Sequence, residues 1–450
     1  MTDRASEQDS TIEKQTLLER IFQIKGRGSS LRQEFIGGLT TFATMGYVAI
    51  VLPTFYTHVG MPKDIAISSV IMVVFGGTLL MGLLANMPIA LAPGLGLAAY
   101  FSYTVCDSMS VPSATAFAAT VVAGFILFLI VLTDAWRKIV ESMPLVLRLS
   151  ITAGIGLFIT FIGLKNGGVI VAHESTYVAL GNMLHPRVLV TIGGVILGGI
   201  LMARKIPGAL FLTLLVMTVV CMFVGISRVP ESLGACFSPV VKLPRFVVGK
   251  VDFQGLMNLD MFQVIFTITL IGFFDGVGVL LGLSRKANLA PPDGVAPGFR
   301  RAMLTSSLTT MGGACIGTSV PTVYIESAAG IASGGRTGLS SVVTALMFAV
   351  MLFFQPLIDL VPIEVGSVAL ILVGSMMLGE LRNVNFDDIT DSLPAFFTVL
   401  MMVLTFSIAE GIAFGFILYA FLKLFSGRGR EVKPILYLVA LVFILHLALR

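Results

Sequence analysis

Charged residues are scarce in this chain of 450 residues, where they make up 12% of the sequence. A water-soluble domain carries roughly 25%, so the polar surface is too small to cover a globule in water. Hydrophobic residues account for 56% of the chain. The shortage of charge argues against a soluble protein and predicts one that uses the lipid bilayer as part of its solvent.

Histidine and cysteine are also rare, with four of each. The cysteines lie far apart with no C-x-x-C spacing, so neither a disulfide framework nor a zinc site is predicted. No P-loop, G-x-S-x-G or H-E-x-x-H spacing occurs, which argues against a primary pump or an intramembrane hydrolase. The net charge is only +4 and the basic residues are scattered, so nothing supports nucleic-acid binding. We therefore expect that the protein is not an enzyme and that it binds no metal and no cofactor.

Long apolar stretches separated by short breaks fill the rest of the chain. Bilayer crossing needs roughly 17–25 residues, and with loose ends we predict fourteen segments: 35–56, 66–84, 88–105, 114–132, 145–164, 188–202, 209–224, 262–283, 304–317, 320–332, 339–357, 366–378, 395–407 and 411–425. Several are short, which in a transporter is typical of broken helices that end near the middle of the membrane.

The third and tenth segments are interrupted by proline and glycine at similar places. Pro93 and Gly94 break the third, whereas Gly317 and Pro321 break the tenth. These segments occupy equivalent positions in two halves of seven. An odd number of crossings per half inverts the second half relative to the first, an arrangement that builds a binding site between two broken helices.

The polar leader 1–34 has no features of a cleavable signal peptide and is predicted to be cytoplasmic. With this orientation the predicted inner loops carry most basic residues, as the positive-inside rule requires. The outer loop 227–254 runs against the trend with four basic residues. A last apolar stretch, 434–449, is either a fifteenth crossing or a helix on the inner face, and we favour the second reading.

Two carboxylates fall inside predicted membrane segments, Asp275 in the eighth and Glu326 in the tenth. A membrane-embedded acid is costly unless it is paired or protonated, so it is a functional hypothesis by default. We therefore interpret Glu326, beside a helix break, as a proton-carrying or ligand-binding group. For Asp275 a helix-packing role is equally compatible with the surrounding glycines.

Hydroxyl and aromatic side chains at membrane depth could contact a planar heterocycle. Most such residues pack helices together rather than bind ligands. The candidates are Thr40, Thr41, Thr44, Tyr47, Ser319, Thr322, Tyr324, Ser327, Phe42, Tyr100, Phe101 and Phe274. Only the group around Tyr324 stands out from this background.

Several motifs are similar to those of a known family. They are EFIGGLTTFATM from Glu34, LLANMPIALAPG from Leu83, GIGLFI from Gly154, IGLKNG from Ile162, YIESAAG from Tyr324, GGRTGL from Gly334 and EGIAFGF from Glu410. With them the chain resembles the nucleobase-cation symporter-2 superfamily, and within it the hypoxanthine/guanine/adenine (purine) permease subfamily. The resemblance runs from about Phe35 to Ser426.

The resemblance implies an all-α fold of two inverted seven-segment repeats. Segments one to four and eight to eleven would form a core domain, and the others a gate domain. The expected boundaries are a leader 1–34, core halves 35–140 and 256–362, gate halves 141–255 and 363–426, and a basic tail with an apolar helix, 427–450.

The resemblance also implies the site residues. A purine would lie between the third and tenth segments and bind Glu326, with Asp275 supporting the site or proton coupling. The expected substrate-binding set is Glu326, Tyr324, Asp275, Ala98, Gly272, Thr322 and Phe274. Ala98 stands where these permeases commonly have Asn, and Gly272 where many have Asp or Asn, which predicts fewer hydrogen-bonding groups around the cargo.

We therefore expect proton-coupled uptake of a purine nucleobase across the inner (plasma) membrane. A carrier of the same fold for another heterocycle or a small anion is the alternative, and a receptor or membrane enzyme is a more remote one. The preferred base, sodium in place of protons, and a homodimer are left open by the sequence.

Overall fold

The computed structural model describes residues 17–133, 136–137, 143–230, 232, 234, 237–238, 251–289 and 296–449. The first sixteen residues of the predicted leader lie outside these ranges, as do three of the four basic residues of the predicted outer loop 227–254. Within the described residues the chain is mostly helical, as the apolar segments predict.

The first half contains, in chain order, α1 (Leu17–Phe22), α2 (Leu31–Met45), α3 (Val48–His58), α4 (Lys63–Leu80), β1 (Leu91–Pro93), α5 (Leu95–Ala99), α6 (Ser113–Leu132), α7 (Leu145–Asn166), β2 (Ile170–His173), β3 (Tyr177–Leu180), α8 (Pro186–Ala203) and α9 (Ala209–Val224). Two π-helical stretches extend α4 and α5, namely Met81–Ala85 and Tyr100–Ser108. Strands β2 and β3 pair as an antiparallel hairpin after α7.

The second half contains α10 (Leu259–Lys286), α11 (Phe299–Cys315), β4 (Pro321–Val323), α12 (Ser327–Ala332), α13 (Gly338–Met351), α14 (Gln355–Asp359), α15 (Ile363–Leu378), α16 (Ile389–Leu404), α17 (Ile408–Lys423) and α18 (Pro434–Leu449). Short 3₁₀ and π turns occupy Lys25–Arg27, Gln254–Leu256, Leu352–Phe354, Gly379–Asn383, Leu424–Arg428 and Gly429–Glu431.

Among the described residues, nine helical stretches are long and apolar enough to cross a membrane. Three further apolar helices are shorter, and they are Ala209–Val224, Ile389–Leu404 and Pro434–Leu445. The predicted third and tenth segments each start as a strand and contain no helix of that length. The protein is thus a multi-pass membrane protein, whereas the count of fourteen crossings stays a prediction.

Side-chain caps fix several helix starts. Ser30 accepts a hydrogen bond from the Gln33 N–H at 3.3 Å, and Asn258 accepts one from the Met261 N–H at 2.8 Å. Such caps satisfy backbone donors that have no partner within the helix, and each contributes about 1 kcal/mol. They explain why α2 and α10 begin where polar sequence gives way to apolar sequence.

Helix packing repeats itself in the two halves. Helix α6 packs against α11 as α4 packs against α13, and α7 packs against α16 as α8 packs against α15. In the predicted numbering, α6 and α11 are segments four and nine, and α13 and α4 are segments eleven and two. The contact between segments four and nine is thus repeated between segments eleven and two, as two inverted repeats require. The predicted inverted-repeat fold is confirmed by this packing and by the solved structures compared below.

The helices also divide into two groups by their contacts. Helices α2–α6 and α10–α13 pack mainly among themselves, and α7–α9 and α15–α17 do the same. We call these the core group and the gate group, as in the predicted fold. The residue boundaries of the two domains stay a prediction.

Close backbone approach holds the centre of the gate group together. A Cβ atom at Gly156 of α7 would lie 2.7 Å from the Gly374 carbonyl oxygen of α15, and one at Gly374 would lie 2.3 Å from the Gly156 oxygen. Larger residues would force these helices apart, which explains the glycines.

The C-terminal helix α18 packs against α17. Its Phe443 ring lies 5.8 Å from both Phe266 of α10 and Phe416 of α17. These contacts tie the tail to both helix groups. Whether α18 crosses the membrane or lies on its surface stays a prediction.

Candidate functional site

The two broken segments meet in a short antiparallel ribbon. Strand β1 pairs with β4, with Ala92 opposite Thr322 and Pro93 opposite Pro321. Proline lacks an N–H and disfavours helical backbone in the residue before it, so both segments stay extended here. Each strand is followed by a short helix, α5 after β1 and α12 after β4.

Neighbouring hydroxyls satisfy the backbone of this ribbon. Ser327 accepts the Ala90 N–H at 3.0 Å and Ser341 accepts the Ile89 N–H at 2.7 Å. Thr78 accepts the Leu91 N–H at 3.0 Å and donates to the Leu91 carbonyl at 3.1 Å. Irregular backbone inside a membrane protein is stable only when its polar groups are paired in this way.

A cavity of about 310 Å³ lies between the ribbon and the gate group. This volume is at the lower end of the range for small-molecule sites, roughly 300–1,000 Å³. The polar residues lining it are Tyr47, Arg148, Thr152, Asp275, Thr322, Tyr324, Glu326 and Glu380. The apolar lining includes Leu95, Leu97, Met143, Ile151, Ile155, Leu270, Ile271, Phe274, Val279, Val373, Met376 and Met377. Core and gate residues therefore contribute together.

Glu326 lies at the start of α12 and lines the cavity, partly exposed to it. The Tyr47 hydroxyl donates to Glu326 Oε1 at 2.6 Å, and Thr44 donates to the Glu326 carbonyl at 3.3 Å. No ion pair to this carboxyl occurs in the described part of the chain. The first segment thus orients an acid that has no cationic partner among the described residues.

Asp275 lines the same cavity from α10, and the Thr322 side chain lies beside it. Asp275 and Glu326 are close enough to interact electrostatically. Phe274 also lines the cavity, where its ring could lie against a planar ligand. The structure therefore brings together five predicted residues of the site: Phe274, Asp275, Thr322, Tyr324 and Glu326.

The other two predicted residues do not line the cavity. Ala98 is fully buried in α5, and its N–H donates to the Gly94 carbonyl at 2.8 Å. A Cβ atom at Gly272 would lie 3.2 Å from Val320, so this position faces the tenth segment. A role for either residue in substrate binding stays a prediction.

Backbone donors complete the site. Helix α5 begins next to the cavity, and Gly94, Leu95, Gly96 and Leu97 all line it. The first N–H groups of a helix have no partner within the helix and carry partial positive charge. The cavity thus combines two carboxyls with backbone donors.

The gate group adds Arg148 and Glu380, which the sequence analysis did not identify. Arg148 falls within the predicted segment 145–164. A cation inside an apolar segment is itself a signal of function. Arg148, Ile151, Thr152 and Ile155 share one helix face, a spacing that could have located it.

Aromatic contacts between core and gate form a closure beyond the residues that line the cavity. The Tyr103 ring lies 5.9 Å from Phe406, and Asn166 donates to the Tyr103 hydroxyl at 3.4 Å. The ring centroids of Phe406 and Phe158 are 5.1 Å apart. Arg148 and Asn166 lie near opposite ends of the 22-residue helix α7, so this closure is far from the Arg148 end.

A second buried acid, Glu34, lies outside the cavity. It accepts hydrogen bonds from the backbone N–H groups of Arg336 at 2.9 Å, Thr337 at 3.3 Å and Ser340 at 3.2 Å. These donors surround the start of α13, where a carboxylate is stabilising. Glu34 therefore joins α2 to α13. As the last residue of the predicted polar leader 1–34, it gave no sign in the sequence that it is fully buried.

The inverted repeats and the cavity between the core and gate groups are typical of membrane transporters in which each repeat contains one broken segment. Residues 32–414 match the Permease family model, Xan_ur_permease. The chain belongs to this family of nucleobase-cation symporters. It is therefore a permease and not an enzyme, and the predicted resemblance is confirmed.

Similar curated proteins include permeases for different purines. The adenine permease AdeP of Escherichia coli is 39% identical, over 96% of each chain. The guanine/hypoxanthine permease PbuO of Bacillus subtilis is 38% identical, over 95% of this chain and 99% of PbuO. The two values are so close that overall identity does not separate the two cargo classes.

Solved structures confirm the fold. The transmembrane domain of the cyanobacterial bicarbonate transporter BicA matches 85% of this chain and 97% of its own, with a TM-score of 0.60 and 18% identity. The murine anion transporter Slc26a9 in its inward-facing state matches 93% of this chain and 75% of its own, with a TM-score of 0.61 and 11% identity. At such low identity the likeness concerns the fold alone.

Proposed function

We propose that this permease takes up a purine nucleobase, of the adenine/guanine/hypoxanthine class, in symport with protons. The observation that carries the proposal is the placement of Glu326, oriented by Tyr47 at 2.6 Å in a cavity between the two paired broken segments and the gate group. Relatives that are 38–39% identical over nearly the whole chain are named as adenine or guanine/hypoxanthine permeases.

The cavity has the groups that a purine needs. A purine presents N–H donors, ring-nitrogen acceptors and flat faces. The Glu326 carboxylate would accept from the N–H edge, and the first N–H groups of α5 would donate to ring nitrogens. Phe274 would lie against a face of the base.

Proton coupling would use the same carboxyls. An unpaired carboxylate in a membrane protein is costly, and either a proton or a cargo N–H group reduces that cost. Glu326 and Asp275 face one cavity and interact with each other, so a proton on one would change the charge that the cargo meets. With Glu326 ionised to accept from the cargo, a proton on Asp275 would remove the like charge beside it, so cargo binding at Glu326 and protonation of Asp275 would favour each other.

Transport would proceed by movement of the core group against the gate group. The cavity extends toward Arg148 and Glu380, whereas Tyr103 and Phe406 close the other end. Under the predicted orientation the open end faces the cytoplasm. The plasma membrane, a cytoplasmic N-terminus and the 1–34 leader belong to this proposal, and a homodimer is compatible with it.

Reconstitution in proteoliposomes tests the proposal. We expect uptake of labelled adenine, guanine or hypoxanthine to depend on an imposed pH gradient, acid outside, and to collapse when a protonophore is added. Uptake driven by a sodium gradient instead would replace the proton in the scheme. Absence of gradient-dependent uptake of any base would contradict the proposed function.

An anion is the alternative cargo, because the start of α5 could attract negative charge. Glu326 and Asp275 in the same cavity disfavour it, since carboxylates repel anions. Thermal-shift screening of purified protein separates the two. Purines should raise the unfolding midpoint, and sulfate, bicarbonate or small carboxylates should leave it unchanged.

A further inference from the structure

Arg148 is a half-buried cation of the gate group that lines the cavity and has no partner among the described residues. Its guanidinium makes no hydrogen bond or ion pair with the described residues, and its Nε is buried and unsatisfied. A buried polar group without a partner costs free energy, more so when it is charged. Because this group faces a ligand cavity, a hydrogen-bond acceptor on the ligand would relieve that cost.

Arg148 lines the same cavity as Glu326, and its place along α7 sets how far it lies from the start of α5. Ile155, on the same helix face, touches the start of α5, since a Cβ atom at Gly96 would lie 2.2 Å from its Cγ2 atom. Arg148 is seven residues earlier, about 10 Å along the axis. A purine held at Glu326 and extending toward the open end of the cavity would span much of this distance.

The other charged groups that the structure describes do not neutralise Arg148. Glu380 lines the cavity from the turn after α15 but forms no ion pair with Arg148 in the described structure, and Asn383 donates to it at 3.4 Å. Asp275 and Glu326 lie on the core side and are likewise unpaired with it. The cavity thus has two acceptor carboxylates on the core side, and on the gate side a donor-only guanidinium in addition to the Glu380 carboxylate.

This polarity distinguishes purines by their six-position. Guanine and hypoxanthine present two acceptors side by side, O6 and N7, which arginine binds with a bidentate fork, whereas adenine presents the donor N6 amine beside N7. We propose that Arg148 is a specificity-determining residue that donates to the carbonyl edge of a 6-oxopurine and makes this permease prefer guanine and hypoxanthine to adenine. The inference rests on the proposed function and deepens it.

The full-length protein in proteoliposomes provides the test, with Arg148→Gln compared with wild type. Loss of a charge-assisted hydrogen bond predicts a rise of roughly tenfold or more in KM for hypoxanthine and guanine. The KM for adenine should change less than about threefold. Arg148→Lys keeps the charge but not the fork and should restore only part of the preference. Arg204→Gln, an exposed arginine at the end of α8, is the matched control and should leave both values unchanged.

Competition on the wild-type protein needs no variant and covers the case in which Arg148→Gln does not fold. Hypoxanthine should displace labelled base at lower concentration than adenine or unsubstituted purine, which lack the oxygen. Equal losses for all bases in Arg148→Gln, no change for any base, or a wild-type preference for adenine would each overturn the inference. These outcomes leave base transport itself intact, whereas a wild-type protein that transports no base contradicts the proposed function instead.

Discussion

The third and tenth segments enter the cavity in the same way and offer it different chemistry. Each runs as a three-residue strand and then starts a helix, and the strands pair residue for residue. At the cavity the third segment presents Gly94, Leu95, Gly96 and Leu97, which have no polar side chain. The tenth presents Thr322, Tyr324 and Glu326.

The comparison shows how an inverted repeat becomes an asymmetric site. The paired backbone fixes where two helix starts meet, and it does so equally for both halves. Side chains then assign acceptor chemistry to the tenth segment and leave backbone donors to the third. A flat cargo with a donor edge and an acceptor edge fits between them in one orientation.

Replacement of Glu326 by Gln breaks this asymmetry most severely. The substitution keeps the shape but exchanges a charged acceptor for an amide that also donates, so purine affinity should fall by at least about tenfold. The pH dependence of binding should weaken in the same variant. Isothermal titration at several pH values measures both effects.

Glu34→Gln is the matched control for that experiment, since Glu34 is also buried in the core group but lies outside the cavity. It should lower stability, because Glu34 caps α13, without a selective loss of purine affinity. If Glu326→Gln bound purines as tightly as wild type, with an unchanged pH response, the site assignment would be wrong.

The third segment differs from the tenth in a second way, because it continues to the closed end. Its π-helical part carries Tyr103, which meets Phe406, whereas α12 ends at Ala332. Phe406 has a φ of 53°, which is rare for a bulky residue and places strain at this contact. Phe406→Ala removes the ring contacts with Tyr103 and Phe158 and should loosen the closure.

Labelling of Cys106, three residues after Tyr103, measures the loosening. In a variant whose other cysteines are serine, an impermeant maleimide should react several-fold faster after Phe406→Ala. Phe425→Ala, an exposed aromatic after α17, is the control and should not change the rate. An unchanged rate in Phe406→Ala would show that this aromatic contact does not limit access.

Replacement of Gly96 tests whether the backbone of the third segment must approach α7 closely. An added Cβ would lie 2.2 Å from the Ile155 Cγ2 atom, and this β-branched side chain has little rotamer freedom. Gly96→Ala should cost about 1–3 kcal/mol of stability through overpacking. The thermal unfolding midpoint in detergent should fall accordingly.

Gly278→Ala in α10 is the matched control, because nothing lies within 4 Å of the added Cβ. Alanine favours helix over glycine by up to about 1 kcal/mol, so this variant should be as stable as wild type or slightly more so. Equal effects of the two substitutions would contradict a close approach of α7 to the third segment.

The sequence predicted the elements of this comparison better than their surroundings. Pro93, Gly94 and Pro321 marked the breaks because proline and glycine act on the local backbone. Glu326 was recognisable because an acid in an apolar stretch needs a reason. The roles of Arg148 and Glu34 were missed because they depend on contacts with helices that are distant in sequence. The side of α7 that faces the cavity depends on its contact with α5, and Glu34 is held by residues distant in sequence, at positions 336 to 340 around the start of α13.

Removal of either of two tyrosine hydroxyls tests the comparison of the two segments further, and here we expect the smallest effects. Tyr47 donates to Glu326 at 2.6 Å, whereas Tyr324 donates to the Pro93 carbonyl of the third segment at 2.7 Å. Tyr47→Phe should weaken purine binding by a few-fold, because one hydrogen bond contributes about 0.5–1.5 kcal/mol. Tyr324→Phe should lower the unfolding midpoint instead, since a buried backbone acceptor loses its partner. Measuring affinity and midpoint for both variants separates orientation of the acid from support of the ribbon, and a reversed pattern would exchange the two roles.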